Sequence, residues 1–228
     1  MQRELIENII NINAKIEDVC SSINKDKDEI TLVAVSKRKS SKLIEIALDN
    51  MINNFGENYA QELHEKAIAI KSSSIVWHFI GPMQSNKVKI IARHAHWIHT
   101  IDREKIIKRL NSECKKLNKI INACIQINIS SEDSKSGCKP EELFELANLI
   151  ESMENINLKG IMALPKLTND KKEREFMMKS VVDLSFQLQK KYPDASVISL
   201  GTTSDFEDAI IQGSNMLRIG ESIFGKRL

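Results

Sequence analysis

The fold of this chain is decided by the stretch Thr31-Leu32-Val33-Ala34-Val35-Ser36-Lys37, an apolar and β-branched run that ends in a lysine. A strand that is buried on both faces reads as a near-continuous apolar segment rather than as an alternating one. An ammonium at the mouth of such a strand loses hydration, which lowers its pKa and frees the amine as a nucleophile. The position of Lys37 therefore predicts a Schiff-base lysine, with the rest of the site built around it.

The composition favours one large globular domain, and we expect residues 1–228 to form a single unit. The net charge is only +2, from 33 basic and 31 acidic residues, so neither nucleic acid nor an anionic membrane is an expected partner. Four cysteines lie far apart without a CxxC pair, which indicates reduced thiols. The N-terminus lacks the apolar core of a signal peptide, and no run reaches transmembrane length. We predict a cytoplasmic protein.

Hydrophobic periodicity divides the chain into alternating strands and helices. Apolar residues at steps of three and four predict an amphipathic helix over residues 1–24. Helix starts are predicted at Ser40, at Asp102, at Pro140 and at the capping-box sequence Ser204-Asp205-Phe206-Glu207. Between the helices, strand-like runs occupy residues 31–36, 52–55, 75–80, 96–99, 122–128, 157–162, 196–200 and 215–219.

Eight strand–helix alternations are compatible with two architectures, an open doubly wound sheet and a closed (β/α)8 barrel. A dinucleotide-binding sheet would place a Gly-x-Gly-x-x-Gly turn after the first strand, but Arg38-Lys39-Ser40-Ser41 contains no glycine. The strand count and the chain length match a barrel. We therefore predict an α/β fold, a single (β/α)8 TIM-type barrel with an extra N-terminal helix.

The last two loops of this barrel are suited to a phosphate group. Barrels commonly bind phosphate with the loops after strands seven and eight and the N-terminus of a short helix. Gly201-Thr202-Thr203-Ser204 offers backbone amides and three hydroxyls, although Ser204 serves equally well as a helix cap. Gly220 lets backbone amides approach an oxyanion just before a short predicted helix. A lysine facing this cradle suggests a phosphorylated aldehyde, with pyridoxal 5′-phosphate (PLP) as the candidate.

Several long motifs of the chain resemble those of the pyridoxal phosphate homeostasis protein family, from about residue 5 to the end. They are Ala34-Val35-Ser36-Lys37, Phe55-Gly56-Glu57-Asn58-Tyr59, Trp77-His78-Phe79-Ile80-Gly81-Pro82-Met83-Gln84-Ser85-Asn86-Lys87, Thr100-Ile101-Asp102, Gln126-Ile127-Asn128, Lys135-Ser136-Gly137, Gly160-Ile161-Met162-Ala163 and Arg218-Ile219-Gly220-Glu221-Ser222-Ile223-Phe224-Gly225. The resemblance implies a fold-type III PLP-binding barrel, related to the N-terminal domain of alanine racemase.

The same resemblance implies roles for individual residues. Lys37 would hold PLP as a Schiff base, with Asn58 beside the cofactor and Arg218 in the pocket. Thr203 stands where the family has a phosphate-contacting serine, and Gly220 lies in the phosphate-binding turn. The chain departs from the family at 202–203, where Thr-Thr replaces the usual Met-Ser and keeps a hydroxyl.

For function, the resemblance implies a PLP-binding regulator of vitamin B6 and amino-acid metabolism without established enzymatic turnover. Two alternatives stay open, a PLP-dependent racemase-like enzyme and a cofactor-free barrel enzyme acting on a phosphorylated sugar. A racemase needs an acid/base on each face of its substrate. The chain has only two tyrosines, Tyr59 and Tyr192, and we expect both to be packing residues. If Arg218 faces the pyridine nitrogen, its permanent charge would weaken PLP as an electron sink.

The remaining expectations concern histidines and partners. We expect His94, His96 and His99 to be edge and packing residues rather than metal ligands, and His78 to be a hydrogen-bonded interior residue. We expect a monomer that binds PLP, with PLP-dependent apoenzymes as candidate recipients.

Overall fold

A closed barrel of eight parallel strands forms the centre of the computed structural model, which describes residues 2–130, 136–166 and 168–225. Neighbouring strands follow chain order, and the first pairs with the last through partners such as Val33 and Arg218. The predicted (β/α)8 barrel is therefore confirmed. The strands are β1 Thr31–Val35, β2 Asn54–Glu57, β3 Val76–Phe79, β4 Trp97–Ile101, β5 Ile121–Ile127, β6 Ile156–Ala163, β7 Val197–Ser199 and β8 Met216–Ile219.

Helices surround the barrel. They are α1 Gln2–Ser22, α2 Ser41–Asp49, α3 Ala60–Ala69, α4 Val88–His94, α5 Glu104–Lys116, α6 Leu143–Glu151, α7 Lys171–Lys191, α8 Phe206–Gln212 and α9 Glu221–Phe224. In the described parts of the chain, no helix has both the length and the apolar character that crossing a membrane requires.

The extra N-terminal helix is present as predicted. One stripe of α1 is buried, including Leu5, Ile9, Ile12 and Ile16, because these residues recur at the spacing of a helix face. This face packs against α2, α8 and α9. Helix α1 therefore supports the region that follows the last strand of the barrel.

Side chains along a strand alternate between the helices outside and the interior of the barrel. On β3, Trp77 lies in the helix-facing core, with its ring centroid 6.0 Å from that of Phe55. The next residue, His78, points to the opposite side of the strand and is fully buried. Its ring stacks on that of Trp97, with the ring centroids 5.7 Å apart. The barrel interior is therefore partly polar, unlike the outer core.

Three local predictions were wrong. Strand β2 covers residues 54–57 rather than 52–55, because Met51 turns the chain at φ +68° and pairing with β3 begins only at Asn54. Helix α5 has Arg103 rather than Asp102 at its N-cap. Helix α8 has Asp205 rather than Ser204 at its N-cap. The predicted helical start at Pro140 is confirmed by a 3₁₀ turn over 140–142 that leads into α6.

Candidate functional site

A cavity of about 860 Å³ opens at the carboxyl ends of the strands. This is the face on which barrel enzymes and binding proteins carry their sites. All eight strands, or the loops that directly follow them, contribute to its wall through Lys37, Asn58, Ile80, Thr100, Gln126, Ala163, Gly201 and Arg218.

The structure brings together three of the six cofactor-binding residues predicted from the sequence. Lys37, Asn58 and Arg218 line the cavity. Thr203, Ser204 and Gly220 do not line it, although Gly201 and Thr202 of the same predicted cradle do.

The two loops of that cradle nevertheless meet beside the cavity. Thr203 Oγ1 accepts a hydrogen bond from the backbone amide of Ser222, at 3.5 Å, in the first turn of α9. Gly220 packs closely on β1, because a Cβ atom there would lie 3.2 Å from the carbonyl oxygen of Val35. The loops after β7 and β8 thus lie against the end of the strand that leads to Lys37, whereas the side chain of Ser204 is exposed.

Arg218 projects from β8 and is only 4% exposed. Its Nη1 donates to Ser199 Oγ at 2.5 Å and its Nη2 donates to the carbonyl oxygen of Ala163 at 2.9 Å. Burial lowers the pKa of the guanidinium to about 10, so it stays protonated at neutral pH. Within 2–130, 136–166 and 168–225, no carboxylate forms an ion pair with Arg218. The cavity wall therefore carries a buried cation that a polar or anionic ligand can contact.

Asn58 lines the cavity and carries a hydrogen-bond acceptor that no described residue satisfies. Its Oδ1 atom is buried and has no hydrogen-bond partner among the described residues. Leaving a buried acceptor unsatisfied costs about 1–3 kcal/mol. A ligand that donates a hydrogen bond to Asn58 would remove this cost, so the atom fits a ligand-binding role.

A buried ionic cluster lies beside Ser36, the residue before Lys37, and no sequence pattern predicted it. Lys66 Nζ, on α3, donates to the carbonyl oxygen of Ser36 at 2.6 Å, to Glu57 Oε1 at 2.6 Å and to Glu62 Oε1 at 2.7 Å. Ser36 Oγ also donates to Glu57 Oε1, at 2.6 Å. Burial raises the pKa of the Glu57 carboxyl to about 7, against the lowering effect of Lys66. The cluster fixes the backbone of the residue that precedes Lys37.

The histidines differ from the expectation in one case. His94 Nε2 lies 2.8 Å from His64 Nδ1, and His96 Nδ1 accepts from the backbone amide of Trp77, so both are packing residues as predicted. His99 is instead fully buried in the barrel interior, where its Nε2 lies 2.9 Å from Nδ1 of His78. The prediction for His99 was wrong because strand alternation turns it inwards. His78 is a hydrogen-bonded interior residue, as predicted.

The two interior histidines should make the protein less stable as the pH falls below about 6.5. Unfolded imidazoles take up protons near pKa 6.5. Burial lowers the pKa of His78 to about 3 and that of His99 well below its ordinary value. The unfolded chain then binds more protons than the folded one, so stability falls by roughly 1 kcal/mol per histidine for each pH unit below 6.5.

This expectation can be measured by urea unfolding of the wild type and of His78→Gln between about pH 7 and pH 5. Glu57 acts in the opposite direction, since its raised pKa favours the folded state as protons bind. The difference between the two proteins removes that contribution, because both retain Glu57. Equal pH dependence in the two proteins would show that His78 does not contribute.

Comparison with known proteins shows the class to which this barrel belongs. The family model for the N-terminal domain of alanine racemase matches residues 10–227. An alanine racemase from Clostridium difficile has the same fold, with a TM-score of 0.78 at 14% identity, over 99% of this chain and 60% of that chain. The fold and the family match therefore define an alanine racemase-type barrel.

More similar proteins identify the family within this class. The pyridoxal phosphate homeostasis protein of Haemophilus influenzae is 42% identical over 220 residues, which cover 95% of this chain and 93% of that protein. The protein of the same name from Escherichia coli K12 is 40% identical over 228 residues, with 98% and 97% covered. The chain belongs to the pyridoxal phosphate homeostasis protein family, whose curated members are named as homeostasis proteins rather than as enzymes.

A solved structure of PipY from Synechococcus elongatus, with PLP bound, is also similar to this chain. It has a TM-score of 0.81 and 25% identity, over 92% of this chain and the whole of that chain.

Proposed function

We propose that this chain binds PLP as a Schiff base on Lys37 and acts in intracellular PLP homeostasis and amino-acid balance. The observation that carries the proposal is the convergence of Lys37, Asn58 and Arg218 on one cavity next to the loops after β7 and β8. Lys37 supplies an amine for the aldehyde, Asn58 supplies a hydrogen-bond acceptor and Arg218 supplies a cationic donor. These groups suit a phosphorylated pyridine aldehyde.

The polar atoms of the cavity fit this cofactor. The buried Oδ1 atom of Asn58 would accept a hydrogen bond from a hydroxyl group of the ligand. Arg218 can only donate, so it would hold a pyridine nitrogen in its unprotonated form. Bound PLP supplies an electron sink, and an unprotonated ring is a weak one. This arrangement supports storage of the cofactor more than turnover.

The positions of the two tyrosines count against a racemase. Tyr59 is 49% exposed, and its hydroxyl lies 3.5 Å from Nη2 of Arg38 rather than in the cavity. Tyr192 bonds to Asn148 at the end of α7. Neither tyrosine is placed to be the second acid/base that racemisation needs.

Similarity to relatives supports the same function. The relatives from Haemophilus influenzae and Escherichia coli are named pyridoxal phosphate homeostasis proteins, and the PipY structure contains PLP. The proposal extends to a monomeric cytoplasmic protein, with PLP-dependent apoenzymes as candidate recipients of the cofactor.

Exchange of the α-proton of an amino acid distinguishes a PLP carrier from a racemase-like enzyme. Purified protein reconstituted with PLP is incubated with L-alanine in D₂O, and the α-proton signal is followed by NMR. We expect no steady deuterium exchange and no D-alanine. Steady exchange with accumulation of D-alanine would contradict the carrier function and favour the racemase-like alternative.

Thr203→Val should weaken PLP binding about tenfold or more, because a hydrogen bond to a charged group contributes roughly 1.5–3 kcal/mol. The substitution removes the hydroxyl that lies beside the Ser222 amide and keeps the shape of the side chain. Equilibrium dialysis against PLP measures the effect. Thr203→Ser is the matched control, since it retains the hydroxyl and should bind as the wild type does. Equal affinities for the valine and serine variants would exclude Thr203 from the phosphate contact.

A further inference from the structure

A chain of hydrogen bonds crosses the barrel interior from Arg218 to the start of β2. Arg218 Nη1 donates to Ser199 Oγ at 2.5 Å, and Ser199 Oγ lies 2.9 Å from His99 Nδ1. His99 Nε2 lies 2.9 Å from His78 Nδ1, and His78 Nε2 lies 3.0 Å from Asn54 Oδ1. Four of these five residues are fully or almost fully buried, and the fifth, Asn54, is partly exposed. The hydrogen-bond chain therefore connects Arg218, on the wall of the ligand cavity, to the first residue of β2.

The two ends of this chain determine the position of every proton in it. A guanidinium only donates and an amide oxygen only accepts. Ser199 accepts from Arg218, so its own proton is available for Nδ1 of His99. His99 can then donate from Nε2 to Nδ1 of His78. His78 in turn donates from Nε2 to Asn54 Oδ1, and each atom in the chain has one role.

We propose that His78, His99 and Ser199 are positioning residues, which hold the Arg218 guanidinium at the cavity wall through a one-way chain of hydrogen bonds with both imidazoles neutral and protonated on Nε2. The hydrogen-bond chain holds Arg218 through the hydroxyl group of Ser199 rather than through a carboxylate. The positive charge of Arg218 is therefore not neutralised and stays available to a ligand. The effect on PLP rests on the proposed function, whereas the proton positions do not depend on any ligand.

Burial supports the neutral state of both rings. Both histidines are fully buried, and their pKa values are lowered by that burial. His96 acts on His78, whereas His78 and Arg218 act on His99, and all of these groups disfavour the charged form of the ring. A neutral pair also lets Ser199 donate to His99, which an imidazolium would prevent.

The proton positions can be tested on the protein without ligand by ring-¹⁵N NMR, with the signals assigned from His78→Gln and His99→Gln. We expect both rings to show a protonated Nε2 and an unprotonated Nδ1, with no change between about pH 5.5 and pH 8. Protonated Nδ1 atoms, or imidazolium signals in this interval, would overturn the proposed chain.

The positioning role is tested separately with Ser199→Ala, which removes only the hydroxyl that joins Arg218 to His99. We expect PLP binding to weaken about tenfold, with a shifted visible absorption band. Ser199→Thr keeps the hydroxyl and should restore the wild-type band. Ser185→Ala is the matched control, because Ser185 is equally buried and its hydroxyl has no hydrogen-bond partner in the described part of the chain.

The outcomes separate this inference from the proposed function. Wild-type affinity and absorption in Ser199→Ala would overturn the positioning role while leaving PLP binding intact. Failure of the wild type to bind PLP would contradict the proposed function, and the NMR result on the ligand-free protein would still decide the hydrogen-bond chain.

Discussion

Lys37→Ala is expected to abolish covalent attachment of PLP while leaving weaker, noncovalent binding. The substitution removes the only atom through which we propose a Schiff base, but it leaves Asn58, Arg218 and the loops after β7 and β8 in place. The visible absorption band of the Schiff base should disappear, and borohydride should no longer attach a pyridoxyl group to the protein. Equilibrium dialysis should still detect PLP at a reduced affinity.

Lys42→Ala provides the matched control, since Lys42 is an exposed lysine five residues along the chain, on α2. It should retain the band and the covalent label. Complete loss of PLP binding by a folded Lys37→Ala protein would contradict the division of roles between the amine and the phosphate loops. A label of undiminished yield in Lys37→Ala would contradict the assignment of the lysine itself.

Lys66→Met is expected to reduce the free energy of unfolding by about 3–5 kcal/mol, the usual cost of removing one partner of a buried ion pair. Lys66 is 5% exposed and Glu57 is fully buried, so the variant leaves a carboxylate without its main charged partner. It also removes the hydrogen bond to the carbonyl oxygen of Ser36. Urea unfolding monitored by circular dichroism measures the loss.

Two further variants make this result interpretable. Lys108→Ala breaks an exposed pair with Glu104 and should change the free energy of unfolding by less than about 1 kcal/mol. The double variant Glu57→Gln/Lys66→Met removes the buried charge and should recover part of the lost stability. A loss no larger for Lys66→Met than for Lys108→Ala would show that the buried cluster does not stabilise the fold.

The barrel could be predicted from the sequence because its strands and helices are local features. The run ending at Lys37 is apolar on both faces, so it can be recognised as a buried strand from its own residues, without knowing which strands pair with it. The prediction failed where pairing rather than composition decides the boundary. Strand β2 extends to Glu57, a residue type that strand patterns disfavour, because Lys66 and Ser36 compensate the carboxyl there.

The candidate site could be predicted only in part, for a related reason. Lys37 stood out because a lysine comes at the end of an apolar run, whereas the role of Arg218 was predicted only from the resemblance to the family. His99, Ser199 and Lys66 carried no such signal. Ser199 contacts residues 19 and 100 positions away, and Lys66 contacts Ser36, 30 positions away, so these roles depend on the folded barrel rather than on a local pattern.

Borohydride reduction of the wild-type protein with PLP, followed by peptide mass mapping, tests the proposed Schiff base on Lys37 directly. We expect a pyridoxyl adduct on Lys37, together with a visible absorption band that reduction removes. A colourless protein that PLP cannot reconstitute, or an adduct found only on other lysines, would contradict this proposal.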